Sequence, residues 1–345
     1  MRPARLIPLV AVAHGSRDPR AAATVTALAG AVRDRAPGVD VRTAFLDHSA
    51  PSLPQALASL APGDASDVTV QCVALPLLLT AAYHSKSDIP AQLAAAVAAH
   101  PNLDVVSADT LGPHPLLLAA LERRLREAGV AVHSAAERAA TSVVLAAAGS
   151  SDPSANATIA ALAAQWGAAS GWQAVVPAYA SAAGPRPAEA VASLRAAGAA
   201  RVVVATYLLA PGYFADKIRD GALNAGADAV SGVLGAAPEV TDVVLDRYRA
   251  ALGDLAAQST LARAAQLFAT AYDAGALISS SDTSHRRSAA SGSRACGRTP
   301  DSASGSVVSP ASLLSSKYRP VTPATSGDAA RRTEVEAPCS GVFQS

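Results

Sequence analysis

The chain has 345 residues, a length that suits two domains or slightly more. Half of it is apolar but only 4% is aromatic, so alanine-rich helices packed on sheets are expected rather than an aromatic binding surface. A formal net charge of +1 gives no electrostatic case for nucleic acid or an anionic membrane as partner.

Three cysteines, Cys72, Cys296 and Cys339, form neither a CxxC pair nor an even framework, which points to a reducing, cytoplasmic setting. Arg2 and Arg5 ahead of the apolar run 6–13 imitate a signal peptide. Cleavage after Ala13 would leave an unusually short leader and remove a strand, so the run is read as a first β-strand. No apolar stretch approaches the roughly 18 residues of a membrane span.

In chain order, residues 5–13 predict a strand and 19–36 a helix ending at Pro37-Gly38. Residues 39–46 read as a strand and 52–60 as a helix closed by Pro62-Gly63. The first part of the apolar run 68–79 predicts a buried central strand. Helix 88–99, a short strand at 104–106 and helix 115–128, stopped by Gly129, complete the first half. The order then repeats, with strands at 142–147, 173–179, 201–209 and 228–230 and helices over about 153–168, 186–197, 214–224 and 239–252. Strands alternating with such helices define βαβ units and parallel sheets. The expected architecture is α/β: two tandem flavodoxin-like domains, duplicated, with a disordered C-terminal tail. The expected domains are 1–136, 137–254, an additional helix at 255–277 and the tail at 278–345, where Ser, Thr, Gly, Arg and Pro dominate.

The repeat also shows what has been lost from one copy. Residues 12–19, Val-Ala-His-Gly-Ser-Arg-Asp-Pro, align with 146–153, Ala-Ala-Ala-Gly-Ser-Ser-Asp-Pro. Residues 75–84, Leu-Pro-Leu-Leu-Leu-Thr-Ala-Ala-Tyr-His, align with 205–214, Ala-Thr-Tyr-Leu-Leu-Ala-Pro-Gly-Tyr-Phe. His14 thus faces Ala148, and His84 faces Phe214. A residue needed for packing should persist in both copies, whereas a residue needed for one active site need not. Gly15, Ser16, Asp18 and Pro19 have counterparts in the second copy and belong mainly to structure, with Asp18 or Ser16 capping a helix that starts at Pro19. His14 and Arg17 are the functional candidates there.

His14 closes the first strand and His84 follows the third, at the carboxyl ends where open α/β sheets bind ligands. Two neutral imidazoles can hold a divalent transition metal or act as a base near pH 7. Asp47 closes the second strand, becomes Ser181 in the other copy, and could complete a metal site or relay protons. Ser85 and Lys86 could meet an anionic ligand. His48 and His114 are weaker candidates, His114 reading equally well as a helix cap, and His100, His133 and His285 read as solvated. The chain lacks GxGxxG after the first strand, GxxxxGK[ST], HExxH and GxSxG, so nucleotide-dependent and serine-hydrolase chemistries lose support.

Four segments carry a resemblance: His14-Gly-Ser-Arg-Asp-Pro, Ala44-Phe-Leu-Asp47 with Pro51, Leu75-Pro-Leu-Leu-Leu through Tyr83-His84 to Asp88-Ile-Pro90, and Leu111-Gly-Pro-His-Pro115. In order and spacing they resemble the class II tetrapyrrole chelatases, specifically the sirohydrochlorin chelatases of the long, two-domain form, over residues 5–255. The resemblance implies a lyase that inserts a divalent metal into sirohydrochlorin. The product would be sirohaem with iron, the favoured metal, or a cobalamin precursor with cobalt. It implies no nucleotide and no permanently bound cofactor, Fe2+ or Co2+ being substrate.

By that resemblance His14 and His84 are metal-binding and catalytic. Asp47 stands where the family often has glutamate, with a shorter reach. Ser16, Arg17, Tyr83 and Lys86 fall to the substrate. Tyr83 occupies a place usually small or apolar in the family, after Ala81-Ala82 in place of the family's Pro-Gly, which the second copy keeps as Pro211-Gly212. Sirohydrochlorin and a divalent metal are the expected partners, with neither nucleic acid nor membrane, for a monomer that forms a pseudo-dimer within one chain. The alternative is a non-catalytic carrier of metal or tetrapyrrole.

Overall fold

The computed structural model describes residues 7–62, 68–81 and 87–257. They build two four-stranded, wholly parallel sheets. The first contains β1 (Leu9–Ala13), β2 (Val41–Phe45), β3 (Val70–Pro76) and β4 (Leu103–Ser107), in the order β2-β1-β3-β4. The second contains β5 (Thr141–Ala147), β6 (Ala174–Tyr179), β7 (Arg201–Tyr207) and β8 (Ala229–Val230), in the order β6-β5-β7-β8. The same doubly wound arrangement therefore occurs twice.

The helices are α1 (Pro19–Arg35), α2 (Leu53–Ala58), α3 (Ile89–Ala99), α4 (Pro115–Glu127), α5 (Ala135–Ala139), α6 (Pro153–Ser170), α7 (Pro187–Ala196) and α8 (Tyr213–Asn224), followed by α9 over 238–257. Every residue of β1 and β5 is buried, because helices cover both faces of each sheet. Successive side chains enter different cores. On the outer face of the first sheet, Val10 and Val12 pack with Leu53 and Leu57 of α2 and Leu93 of α3. On the outer face of the second, Val144 and Ala146 meet Val191 of α7 and Ile218 of α8.

The inner faces of both sheets share a single core. Leu9 and Ala11 from β1 and Val143 and Leu145 from β5 join Leu28 of α1, Leu121 of α4, Trp166 of α6 and Val244 of α9. The two copies have also exchanged a helix. The first copy's α4 lies against β7 of the second sheet. The second copy's α9 reaches back to the first: its Tyr248 hydroxyl donates to the Ile7 carbonyl ahead of β1, and Arg247 donates to the Leu111 and Pro113 carbonyls. Between the exchanged helices Arg123 grips Glu239 with both carboxylate oxygens at 2.7–3.0 Å, and Arg124 donates to the Leu234 carbonyl at 2.7 Å.

Sequence periodicity did not anticipate α5, a five-residue helix capped by Ser134 with no buried residue. The alanine-rich segment expected to start a separate helix instead continues α9 without a break as far as residue 257, with Leu255 buried. The remainder of that segment, the tail at 278–345 and Cys296 and Cys339 lie outside the described residues. Among the described residues, no helix is long and apolar enough to cross a membrane.

Arg123 holds the Glu239 carboxyl below its usual range, by hydrogen bonding first. A depressed carboxyl pKa contributes stability that is present above the unfolded value, near 4.5, and is lost as pH falls through the folded one. Arg123→Ala should therefore lower stability by about 1 kcal/mol at pH 7, and the difference from wild type should close below pH 4.5, as read by urea unfolding at both pH values.

Candidate active site

Each copy makes the same turn at the end of its first strand, and local chemistry explains it. Asp18 caps α1 by accepting from the Arg20 N–H at 2.9 Å, with Pro19 in the first turn, and Asp152 caps α6 through the Ser154 N–H at 2.9 Å, ahead of Pro153. The Ser16 hydroxyl oxygen accepts from the Asp18 N–H at 3.1 Å, as Ser150 does from Asp152 at 3.0 Å. Gly15 has φ +92°, and a Cβ there would sit 1.7 Å from the Asp47 carbonyl oxygen. Gly149 repeats this, with φ +81° and a Cβ 2.0 Å from the Ser181 carbonyl oxygen. The shared residues of the turn are thus structural, and the side chain at position 14 is what differs between copies.

The turns of both copies, with the chain following β3 and β7, enclose a cavity of about 550 Å³. That size lies within the range of small-molecule sites. Its lining is largely apolar, including Val25, Phe45, Ile159 and Leu209, and His14 and Ser16 face it from the first copy. The His14 side chain is exposed, with Nδ1 3.3 Å from the Gly15 carbonyl.

Asp47 donates its backbone N–H to the His14 carbonyl at 3.0 Å, so the two residues meet through their main chains. Its carboxylate, however, is 63% exposed and turned to His48, accepting from that residue's N–H at 2.8 Å with Nε2 3.2 Å from the other oxygen. The carboxylate expected in the crevice is therefore absent from the cavity lining. Arg17 is exposed and also outside the lining. Tyr83, His84 and Lys86 lie outside the described residues, so of the expected cluster the structure brings only His14 and Ser16 to the cavity. Among the described residues, no three His, Cys, Asp or Glu side chains converge as a metal site. His114 is a helix cap, its Nδ1 accepting from the Leu116 N–H at 3.2 Å, and burial pushes its pKa down. Cys72 is buried in the sheet, which pushes its thiol up to about 12 and leaves it inert.

Sequence reasoning missed Tyr207. This side chain at the end of β7 is 2% exposed, lines the cavity and donates to the Leu79 carbonyl at 3.4 Å across the two copies. A Cβ on Gly112 would lie 2.5 Å from its hydroxyl and 2.3 Å from the Leu79 oxygen. Burial raises the phenol's pKa, so it stays protonated and acts as donor. The only signal in the sequence was a tyrosine where the first copy has Leu77. Tyr213 and Phe214, at the start of α8, also line the cavity.

The arrangement defines a class: a duplicated α/β protein in which, among the described residues, a cavity between the copies carries a histidine on the first copy's wall. The family model for CbiX matches the chain twice, over residues 8–128 and 142–251, and the chain belongs to the CbiX family. It is 28% identical over 209 residues to the sirohydrochlorin cobaltochelatase of Priestia megaterium, covering 61% of this chain and 66% of that protein. The chain thus spans just under two thirds of that relative's length. It is 24% identical over 223 residues to the sirohydrochlorin ferrochelatase of the same organism, covering 65% of this chain and 80% of that one. Among solved structures it resembles SirB from Bacillus subtilis with Fe3+, at a TM-score of 0.62 and 22% identity over 73% of this chain and 97% of that one. The cobalt complex of the sirohydrochlorin chelatase SirB from B. subtilis subspecies spizizenii gives 0.57 and 21%, over 71% and 94%. These likenesses establish the fold.

The Gly15 turn can be tested directly. Gly15→Ala should destabilise the protein by about 2 kcal/mol or more, through positive φ and collision with Asp47. Gly30→Ala, where a Cβ meets nothing within 4 Å, should be neutral or stabilising in the same thermal melts.

Proposed function

We propose that the chain is a sirohydrochlorin chelatase, a lyase that inserts a divalent metal into the tetrapyrrole without nucleotide. The observation that carries this reading is the pairing of CbiX membership with a cavity whose histidine turn is intact in one copy and has alanine in the other. The macrocycle occupies the cavity between the copies, and the metal is held transiently by His14 and His84. Insertion exchanges one M2+ for two pyrrole N–H protons, so a base must accept them. A neutral imidazole suits that task near neutral pH. Asp47 has the lesser part, as a carboxylate at the edge of the site that leaves His48 to receive protons. Ser16, Arg17, Tyr83 and Lys86 meet the substrate's carboxylates and rim.

Incomplete coordination by two imidazoles favours turnover, since a site that holds its metal tightly cannot release it. Such ligands suit iron(II) and cobalt(II) alike. Fe2+ is the favoured metal, with sirohaem as product, and Co2+, leading towards cobalamin, comes next. The protein works in the cytoplasm as a monomer.

Anaerobic absorbance of sirohydrochlorin with Fe2+ or Co2+ at substoichiometric protein tests this reading. Wild type should turn over many times, and His14→Ala should be slower by about a hundredfold or more while remaining folded. Binding without turnover would favour a carrier of metal or tetrapyrrole, and full activity in the folded variant would sink the assignment of His14.

A further inference from the structure

The second copy has lost its imidazoles, but it has not become bare. In the aligned segments Tyr213 stands where the first copy has Tyr83, and Phe214 stands in the place of His84. Tyr213 is 72% exposed and Phe214 38%. Their ring centres are 5.6 Å apart with the planes at 58°. The whole chain has only four Phe, seven Tyr and two Trp. Among the described residues, these two are the only aromatics with large exposed apolar surface, and both line the cavity. Apolar rings left in water beside a cavity mark a binding surface rather than core.

The pair is also held in place. Gly212, just before it, packs near the histidine turn: a Cβ there would lie 3.9 Å from Ser16 Oγ and from Asp18 Cβ. One turn further along α8, Asp216 is bound to Arg20 of α1 at 2.6 Å, and the same guanidinium holds Asp18 at 2.6 Å. The start of α8 is thereby fastened to the helix that follows the His14 turn. The backbone that carries the rings thus stands at the same cavity that His14 lines.

We propose that Tyr213 and Phe214 form a stacking platform for the conjugated tetrapyrrole ring, an inference that rests on the chelatase reading. Exposed apolar rings give a planar π-system a partner of matching shape. With planes 58° apart, one ring can lie parallel to the macrocycle in an offset stack while the other meets it at a tilt. The duplication has divided the work: the first copy handles the metal, and the second holds the macrocycle with aromatic rings in place of the imidazole.

Metal-free sirohydrochlorin, titrated anaerobically into wild type, the Tyr213→Ala/Phe214→Ala double variant and Phe214→Leu, tests the platform by absorbance. Binding of cobalt(II) alone, read from its ligand-field bands, is measured on the same proteins. The double variant should bind the macrocycle about tenfold or more weakly. Phe214→Leu, which keeps apolar bulk without a π-face, should fall between it and wild type. Cobalt binding should be unchanged in both. If the double variant fails to fold, the leucine variant alone carries the test. Wild-type macrocycle affinity in the variants would overturn the platform and leave the chelatase reading standing. Proportional loss of cobalt binding would mean a collapsed loop and would likewise overturn it. Failure of wild type to bind sirohydrochlorin would remove the chelatase reading and the platform together.

Discussion

Everything in this molecule depends on one apolar core that neither copy can complete alone. The inner faces of both sheets and helices α1, α4, α6 and α9 form a single buried cluster, and the copies have traded α4 for α9 across it. Without its neighbour, the second sheet would expose the face that α4 covers, and the first copy would lose Tyr248 and Arg247 from its edge. The hydrophobic effect, proportional to the area removed from water, supplies the main drive for this union. The charged pairs Arg123–Glu239, Arg20–Asp216 and Arg35–Asp242 then fix orientation at its margins more than they add stability.

The cavity follows from that union. In a doubly wound sheet the carboxyl ends of the strands are open, because the connections diverge there to helices on opposite faces. Packing two such sheets through their inner helices brings the turns after β1 and β5, and the chain after β3 and β7, around one space. Tyr207 shows how closely the walls are fitted: its hydroxyl reaches from the end of β7 to the Leu79 carbonyl, against a glycine that leaves no room for a methyl group.

Much of this was legible in the sequence because it is encoded locally and encoded twice. The alternation of strands and helices, the parallel sheets and the Asp18–Pro19 and Asp152–Pro153 caps follow from short-range propensity and hydrogen bonding. Comparing the copies separated scaffold from site at the His14 turn, where Gly15 and Gly149 meet the same backbone obstacle. What escaped is long-range. The exchange of α4 and α9 leaves no periodic trace, since a helix shows the same amphipathic stripe whichever sheet it covers. Tyr207 resembled an ordinary strand residue. The Asp47 carboxylate turned to His48 because a neighbouring N–H and imidazole were nearer partners than the cavity.

The helix exchange also bears on how such a site came to be lopsided. In an assembly of two identical subunits, every substitution is made twice, and a change that helps one wall of a shared cleft is imposed on the other. Joining the copies in one polypeptide ends that constraint, and the traded helices keep the union permanent at a fixed ratio of one to one. Alanine at 148 and phenylalanine at 214 stand at the sequence positions that align with histidines 14 and 84. Two copies in one polypeptide need not match, and the two walls differ at these positions.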